Sequence, residues 1–290
     1  MKTSLSHLPK HKRHELEIVR DVIRTAIPGV HMIILFGSYA RGDWVEDVYT
    51  EGHITYEYQS DFDVLVIGPD SNKPANTAAH EQRIKEAVRA DARVATPLTI
   101  VYHTMKFVNQ RLREGQYFFS DIKREGVLLY DSKKHKLARR RKLDKRKRGP
   151  IAQANFSHWI ESGRRYYGSF QFNVQNEWHN EAAFLLHQAT ECAYTAVLLA
   201  FTGYKPKTHD LEKFGGLAGD CHPAFLRVFP RSTPEEKRLF GLLQKAYIDA
   251  RYDPKYAITM EELGHLGARV TKLFELAREL CTAKIASFDA

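Results

Sequence analysis

Cysteine is scarce in this chain. Cys192, Cys221 and Cys281 are the only three, an odd number, scattered and without metal-ligand spacing. That excludes a disulfide framework and a cysteine zinc site, and it fits a reducing compartment. Long apolar runs are also missing: no stretch approaches the roughly 20 apolar residues that span a bilayer. Residues 1–13 are basic and lack the apolar core of a secretory signal. The expectation is a cytoplasmic protein with no membrane partner. No internal repeat is present.

Acidic residues are nearly absent from one segment. Residues 133–148 read KKHKLARRRKLDKRKR, with Asp144 the sole acid, and this segment can account for the whole formal net charge of +9. Such an excess favours polyanionic partners, nucleotides or nucleic acid. Hydrophobic periodicity collapses here and Gly149-Pro150 follows, so the segment reads as a linker. Two readings stay open: a solvated or helical connector, or an RNA- or phosphate-binding arm whose affinity falls steeply with salt.

At roughly 100–200 residues per domain, 290 residues make two domains, each able to bury a core. Strands are expected at 30–36, 61–67, 98–103 and 126–131, from β-branched apolar runs ended by Gly, Pro or Asp. Helices are expected at 12–26, 77–94, 104–113 and 117–124. Residues 43–60 form a long polar and aromatic connection with a hairpin near Glu51-Gly52. Alternating strands and helices give an α/β domain over 1–132. After the basic linker, 133–150, the pattern changes. Residues 151–173, 177–202, 209–218, 233–249 and 261–284 have helical periodicity with prolines at the breaks, an antiparallel helical bundle over 151–290.

The chemistry concentrates at two places in the first domain. Gly37-Ser38-Tyr39-Ala40-Arg41-Gly42 follows a strand directly. Glycine lets backbone approach a ligand closely, the following amides can face an anion, and Ser38 adds a hydroxyl. Then Ser60-Asp61-Phe62-Asp63 opens the next strand. Alternate side chains share a strand face, so Asp61 and Asp63 project together while Phe62 and Val64 enter a core. Two carboxylates on one face repel unless a cation lies between them. Magnesium binds through few carboxylates plus phosphate oxygens and water.

GSYARG followed by SDFDVLV resembles the signature of the DNA polymerase β-type nucleotidyltransferases. The second half is similar to HEPN domains, through AAFLLHQATECAY (182–194), KPKTHDL (205–211) and ARYDPKY (250–256). The resemblances imply a fused minimal nucleotidyltransferase–HEPN protein, an α+β/α two-domain chain that dimerises through its helical domain. They imply that Gly37, Ser38, Arg41 and Gly42 hold the phosphates of ATP or another NTP. Asp61 and Asp63 would bind Mg²⁺, and with Ser38 they would serve transfer of a nucleotidyl group to a hydroxyl on protein or RNA.

The chain departs from both family patterns. The interval from Ser38 to Asp61 is unusually long, with an insertion centred on Asp47–Tyr58. Active nucleotidyltransferases carry a third acid on a neighbouring strand, yet PLTIVYH (97–103) has none. Thr99, Tyr102 or His103 could lie nearby, and Glu57 is a distant substitute. Loss of that acid leaves a non-catalytic nucleotide-binding regulator as the alternative. HEPN ribonucleases carry Arg and, a few residues on, His. Here Arg251 is followed by Tyr256, and a phenol titrating near pH ~10 is a poor acid–base group for RNA cleavage. Arg251 could bind phosphate or pair with Glu191. His187, Glu191, His209 and Asp210 read as hydrogen-bonded bundle residues rather than a metal site. Phe184, Leu185, Ala189, Ala193 and Leu198 read as core.

Overall fold

The computed structural model describes residues 1–44, 46–51, 54–69, 77–140 and 145–288, with backbone alone for 47–51, 54–59 and 145–147. Its contacts divide the chain into two compact units, one comprising Met1–Glu46, Gln59–Leu143 and Pro206–Thr208, the other Asp47–Tyr58, Asp144–Lys205 and His209–Ala290.

The first unit is built on a four-stranded mixed sheet. In chain order its elements are α1 (Lys10–Ala26), β1 (Met32–Phe36), α2 (Gly37–Arg41), β4 (Phe62–Gly68), α3 (Thr77–Arg89), β5 (Leu98–Thr104), α4 (Met105–Glu114), α5 (Tyr117–Glu125) and β6 (Val127–Asp131). Between α2 and β4 the expected hairpin is present, as β2 (Glu46–Glu51) paired with β3 (Ile54–Gln59). The sheet order is β5-β4-β1-β6. β1 runs antiparallel to both β4 and β6, and β4 runs parallel to β5.

β1 and β4 are central, so both their faces are covered and every residue of each is buried. Ile33, Leu35, Phe62, Val64 and Val66 face a cluster with Leu16, Val19 and Ile23 of α1 and Ile84 and Val88 of α3. The opposite face carries Phe36, whose ring meets Phe118 of α5 edge-on at 5.4 Å. α3 ends at Arg89, short of the expected 94, because Asp91 accepts the Arg93 amide at 3.1 Å and closes a turn.

The second unit is helical: α6 (Lys145–Gln175), α7 (His179–Thr202), α8 (Leu211–Cys221), a 3₁₀ turn (Pro223–Arg227), α9 (Pro234–Lys245), α10 (Asp249–Tyr252) and α11 (Met260–Ala286). α6 starts at Lys145 and takes in Pro150, so part of the segment read as linker is helix. The single helix expected over 233–249 ends at Lys245, and a separate turn, α10, follows. Thr233 and Thr259 each form a reciprocal capping box, with Glu236 and Glu262, which fixes the starts of α9 and α11. α7 is long and apolar enough to cross a membrane by length and composition, against the expectation that no stretch comes near that. However, 72% of its apolar window is buried inside the unit. Its small and apolar side chains pack on nearly every side, as a central bundle helix requires.

Gly126 joins α5 to β6 where no side chain fits. A Cβ there would sit 2.5 Å from the Ile122 carbonyl oxygen and 2.8 Å from Ile34 Cγ2. Gly126→Ala should lower unfolding free energy by about 1–3 kcal/mol through overpacking, measured as a drop in the urea midpoint at unchanged slope.

Candidate functional site

The β1–β4 register assembles the first site. Phe36 stands opposite Asp63, so the residues that follow Phe36 turn past the start of β4. Gly37 makes that turn with φ 73°, a left-handed value that favours glycine. Ser38 is 7% exposed. Its carbonyl accepts from Gly42 N at 2.8 Å and Asp43 N at 3.1 Å, and Gly42 closes the short helix with φ 97°. Asp63 is 2% exposed and Asp61 half-buried. Arg41 directs its Nε to Asp43 Oδ2 at 3.1 Å, so its charge is already engaged.

The shared face expected for the two aspartates is present. On the parallel partner strand Thr99 lies level with Asp63, and Thr99 Oγ1 donates to Asp61 Oδ2 at 2.9 Å. Thr99 therefore stands beside the pair, on the strand that carries no third acid. His103 pairs with Ile67, four residues further along β5, or about 13 Å at strand rise. Its ring stacks on Phe107 at 4.2 Å. His103 is thus removed as a base, and so is Tyr102, which pairs with Val66. The side chain of Glu57 lies outside the described residues. Asp61 and Asp63 offer hard oxygen donors on one face, with Ser38 buried on the turn after β1, and such carboxylates suit magnesium shared with phosphate oxygens. Among the described residues, no group of three or more His, Cys, Asp or Glu side chains could hold a metal without such help.

Behind the turn lies a network that the sequence reading missed. Lys12 of α1 is 3% exposed. Its Nζ lies 2.6 Å from Glu46 Oε1 and donates to Thr96 Oγ1 at 2.8 Å. The Tyr39 hydroxyl donates to the same Glu46 oxygen at 3.0 Å. Burial, then Glu46, hold the Tyr39 phenol far above its ordinary pKa, so it stays a neutral donor. The network ties the turn at Gly37-Ser38 to α1 and the root of β2. A signal existed: Lys12 continues the buried stripe of Leu16, Val19 and Ile23 at helical spacing.

In the helical unit, Glu191 is 6% exposed and holds a lysine and a histidine. Lys205 Nζ lies 3.3 Å from Oε1 and His209 Nδ1 2.7 Å from Oε2. Of the two readings of Arg251, the pair with Glu191 is replaced by these contacts. Arg251 is exposed, donates to the Tyr247 carbonyl at 2.8 Å and lies 4.6 Å above the Phe184 ring. Tyr247 OH is 2.9 Å from His209 Nε2, yet the two rings stack at 3.8 Å and 14°. The hydroxyl thus approaches across the stack and off the nitrogen lone pair, so the two make a poor acid–base pair. Tyr256 is buried and donates to the Leu242 carbonyl at 3.1 Å, with its phenol pushed up by burial. His187, fully buried, contacts the His209 carbonyl through Nε2 at 3.1 Å. Asp210 caps α8 through the amides of Glu212 and Lys213. Phe184 and Leu185 are half-buried, while Ala189, Ala193 and Leu198 are core.

Residues 156–280 match the sequence model of the HEPN domain family. The helical half thus carries a HEPN domain, with the Glu191–His209 pair and the Arg251-to-Tyr256 segment inside it. No curated protein matches the chain.

Burial depresses His187 in this HEPN domain to about pH 4, from an ordinary 6.5. Between those values the unfolded chain binds a proton that the folded one refuses, so stability falls as pH drops from 6.5 towards 4. The loss at the acid end is on the order of 3 kcal/mol. Urea unfolding between pH 7.5 and 4 should show it, and His187→Gln should flatten the slope.

Proposed function

We propose that the N-terminal half binds a magnesium–nucleoside triphosphate, ATP or another NTP, and transfers its nucleotidyl group to a hydroxyl acceptor on protein or RNA. The observation that carries this reading is the Phe36–Asp63 pairing, which brings the Gly37-Ser38 turn beside two aspartates on one face. Gly37 gives the phosphates backbone access, Ser38 donates its hydroxyl to a phosphate oxygen, and Asp61 and Asp63 hold the magnesium. Bound magnesium would supply charge neutralisation on the phosphate oxygens. The acceptor oxygen attacks the α-phosphorus in line, the bond to the β-phosphate breaks, and pyrophosphate leaves. With no third acid on β5, the acceptor's proton goes to Asp61, the less buried of the pair, or to water. Most of the acceleration is positioning and electrostatics.

A second reading, binding without turnover, is favoured by Thr99 occupying the place beside Asp63. For the HEPN domain we propose a role other than RNA cleavage, because the Tyr256 hydroxyl is buried and held by the Leu242 carbonyl. Self-association of that domain into a homodimer belongs to the same proposal. The exposed Phe172, Trp178, Ile248 and Tyr252 support it as apolar surface suited to a second copy.

Label transfer from α-³²P-ATP with Mg²⁺, in cell extract, tests the enzyme reading. Label on a macromolecule with wild type, at least a hundredfold reduced with Asp63→Asn, is the expected result. Mg²⁺-dependent ATP binding lost in Asp63→Asn, with no transfer, would move the assignment to binding alone. In that case Thr99→Asp should create or raise transfer. Absence of both binding and transfer would remove both readings.

A further inference from the structure

The first half of the basic run is held in place. Lys133 N donates to Asp131 Oδ1 at 2.8 Å as the chain leaves β6. Asn109 of α4 then grips the backbone on both sides: its Nδ2 donates to the Lys136 carbonyl at 3.2 Å, and its Oδ1 accepts from Ala138 N at 2.5 Å. Lys123 of α5 donates to the carbonyls of Leu137 at 3.3 Å and Ala138 at 2.8 Å. Leu137 and Ala138 are half-buried, whereas Lys133, Lys134, His135, Lys136 and Arg139 are exposed. Among the described residues, none of Lys133, Lys134, Lys136 and Arg139 pairs with a carboxylate side chain. The segment is a strap with its apolar side inward and its cations outward.

At the head of this strap opens a cleft of about 750 Å³ whose lining includes Arg24, His31, Tyr130, Ser132 and Lys134. The Arg24 guanidinium lies 4.6 Å over the Tyr130 ring, and the His31 and His135 rings meet at 3.9 Å. Asp21 also lines the cleft, but Arg20 engages both its oxygens, at 2.8 and 3.0 Å. The cleft sits where β1 begins and β4 ends, at the opposite end of those strands from Asp63.

We infer that this strap and cleft bind single-stranded nucleic acid, its phosphates along Lys133, Lys134, Lys136 and Arg139 and a base in the cleft against the Tyr130 and His31 rings. A row of cations reaching up to about 20 Å fits a run of phosphates better than one anion. Planar groups in the cleft fit a base, which an acidic peptide lacks. A lipid surface would call for apolar side chains facing outward beside the cations, and here Leu137 faces in. Backbone-tracking cations next to aromatic rings are the elements of sequence-tolerant single-strand binding. Pinning by Asn109 and Lys123 removes ordering entropy that a free arm loses on binding. The inference does not depend on the nucleotide site.

Fluorescence anisotropy of the full chain with a short labelled oligouridylate tests it, with circular dichroism and thermal melts to confirm folding of every variant. Binding should weaken with salt at a slope of about −0.7 per neutralised phosphate. Combined Lys133→Gln, Lys134→Gln, Lys136→Gln and Arg139→Gln should lower affinity at least tenfold and flatten that slope by about 2–3. The control, with Arg141, Lys142, Lys145 and Arg146 changed to Gln, should lose less; equal losses would make net charge the whole cause and overturn the strap. Asn109→Ala keeps every cation, so a severalfold loss supports the pinned geometry and no loss overturns it. Tyr130→Leu should weaken oligouridylate and leave inorganic polyphosphate binding unchanged. Polyphosphate competing as well as unlabelled RNA would overturn the base-binding cleft.

Discussion

The pairing of β1 with β4 is the constraint on which the N-terminal half depends. Both strands are central and buried on both faces, so their register is fixed by which side chains each core accepts. A slip of one residue would turn Asp63 towards the α1–α3 cluster and Phe62 towards the polar side. That exchange would bury a carboxylate among Leu16, Val19 and Ile84, at a cost of several kcal/mol. The apolar packing of Phe62, Val64 and Val66 thus positions Asp61 and Asp63 without touching their chemistry. The Lys12–Glu46–Tyr39 network braces the same turn from behind.

In the helical half the comparable constraint is Glu191. A carboxylate on the central helix can be removed from water only with partners for its oxygens, and Lys205 and His209 supply them from the loop before α8. Losing either partner would leave a buried carboxylate oxygen uncompensated, so the loop and α7 act as one piece. The contact that draws His209 to Glu191 also stacks it on Tyr247, which leaves Arg251 outside, on the aromatic surface of Phe184 and Tyr247. Glu191, Lys205, His209 and Tyr256 of this HEPN domain are thus engaged in contacts between its segments.

The basic segment shows why charge counted along a sequence and charge placed in space differ. In composition, residues 133–148 are one uniform run. In the structure Asn109 and Lys123 fasten the backbone of 136–138, while 145–150 belong to a helix. A run of like charges repels itself and stays open unless something outside the run holds it. Here the fasteners are side chains distant in sequence.

Local pattern in the sequence decided much of this protein. The strands of the sheet, the shared face of Asp61 and Asp63, the Gly37 turn and the hairpin after Gly42 all follow from periodicity and from glycine's backbone freedom, which act between near neighbours. The HEPN character of the second half was legible in residues 182–194, 205–211 and 250–256. Tertiary structure alone decided that Thr99 stands level with Asp63 and His103 four residues beyond, since strand register depends on the whole core. It also decided that Glu191 takes His209 and Lys205 instead of Arg251, because each candidate partner reaches that carboxylate, or fails to, through the geometry of separate segments. Lys12 carried a periodic signal, but its meaning needed Glu46 and Thr96 beside it. Contacts between residues far apart in the chain leave no trace in local spacing, and those contacts determine which polar groups are bound up and which are left to act.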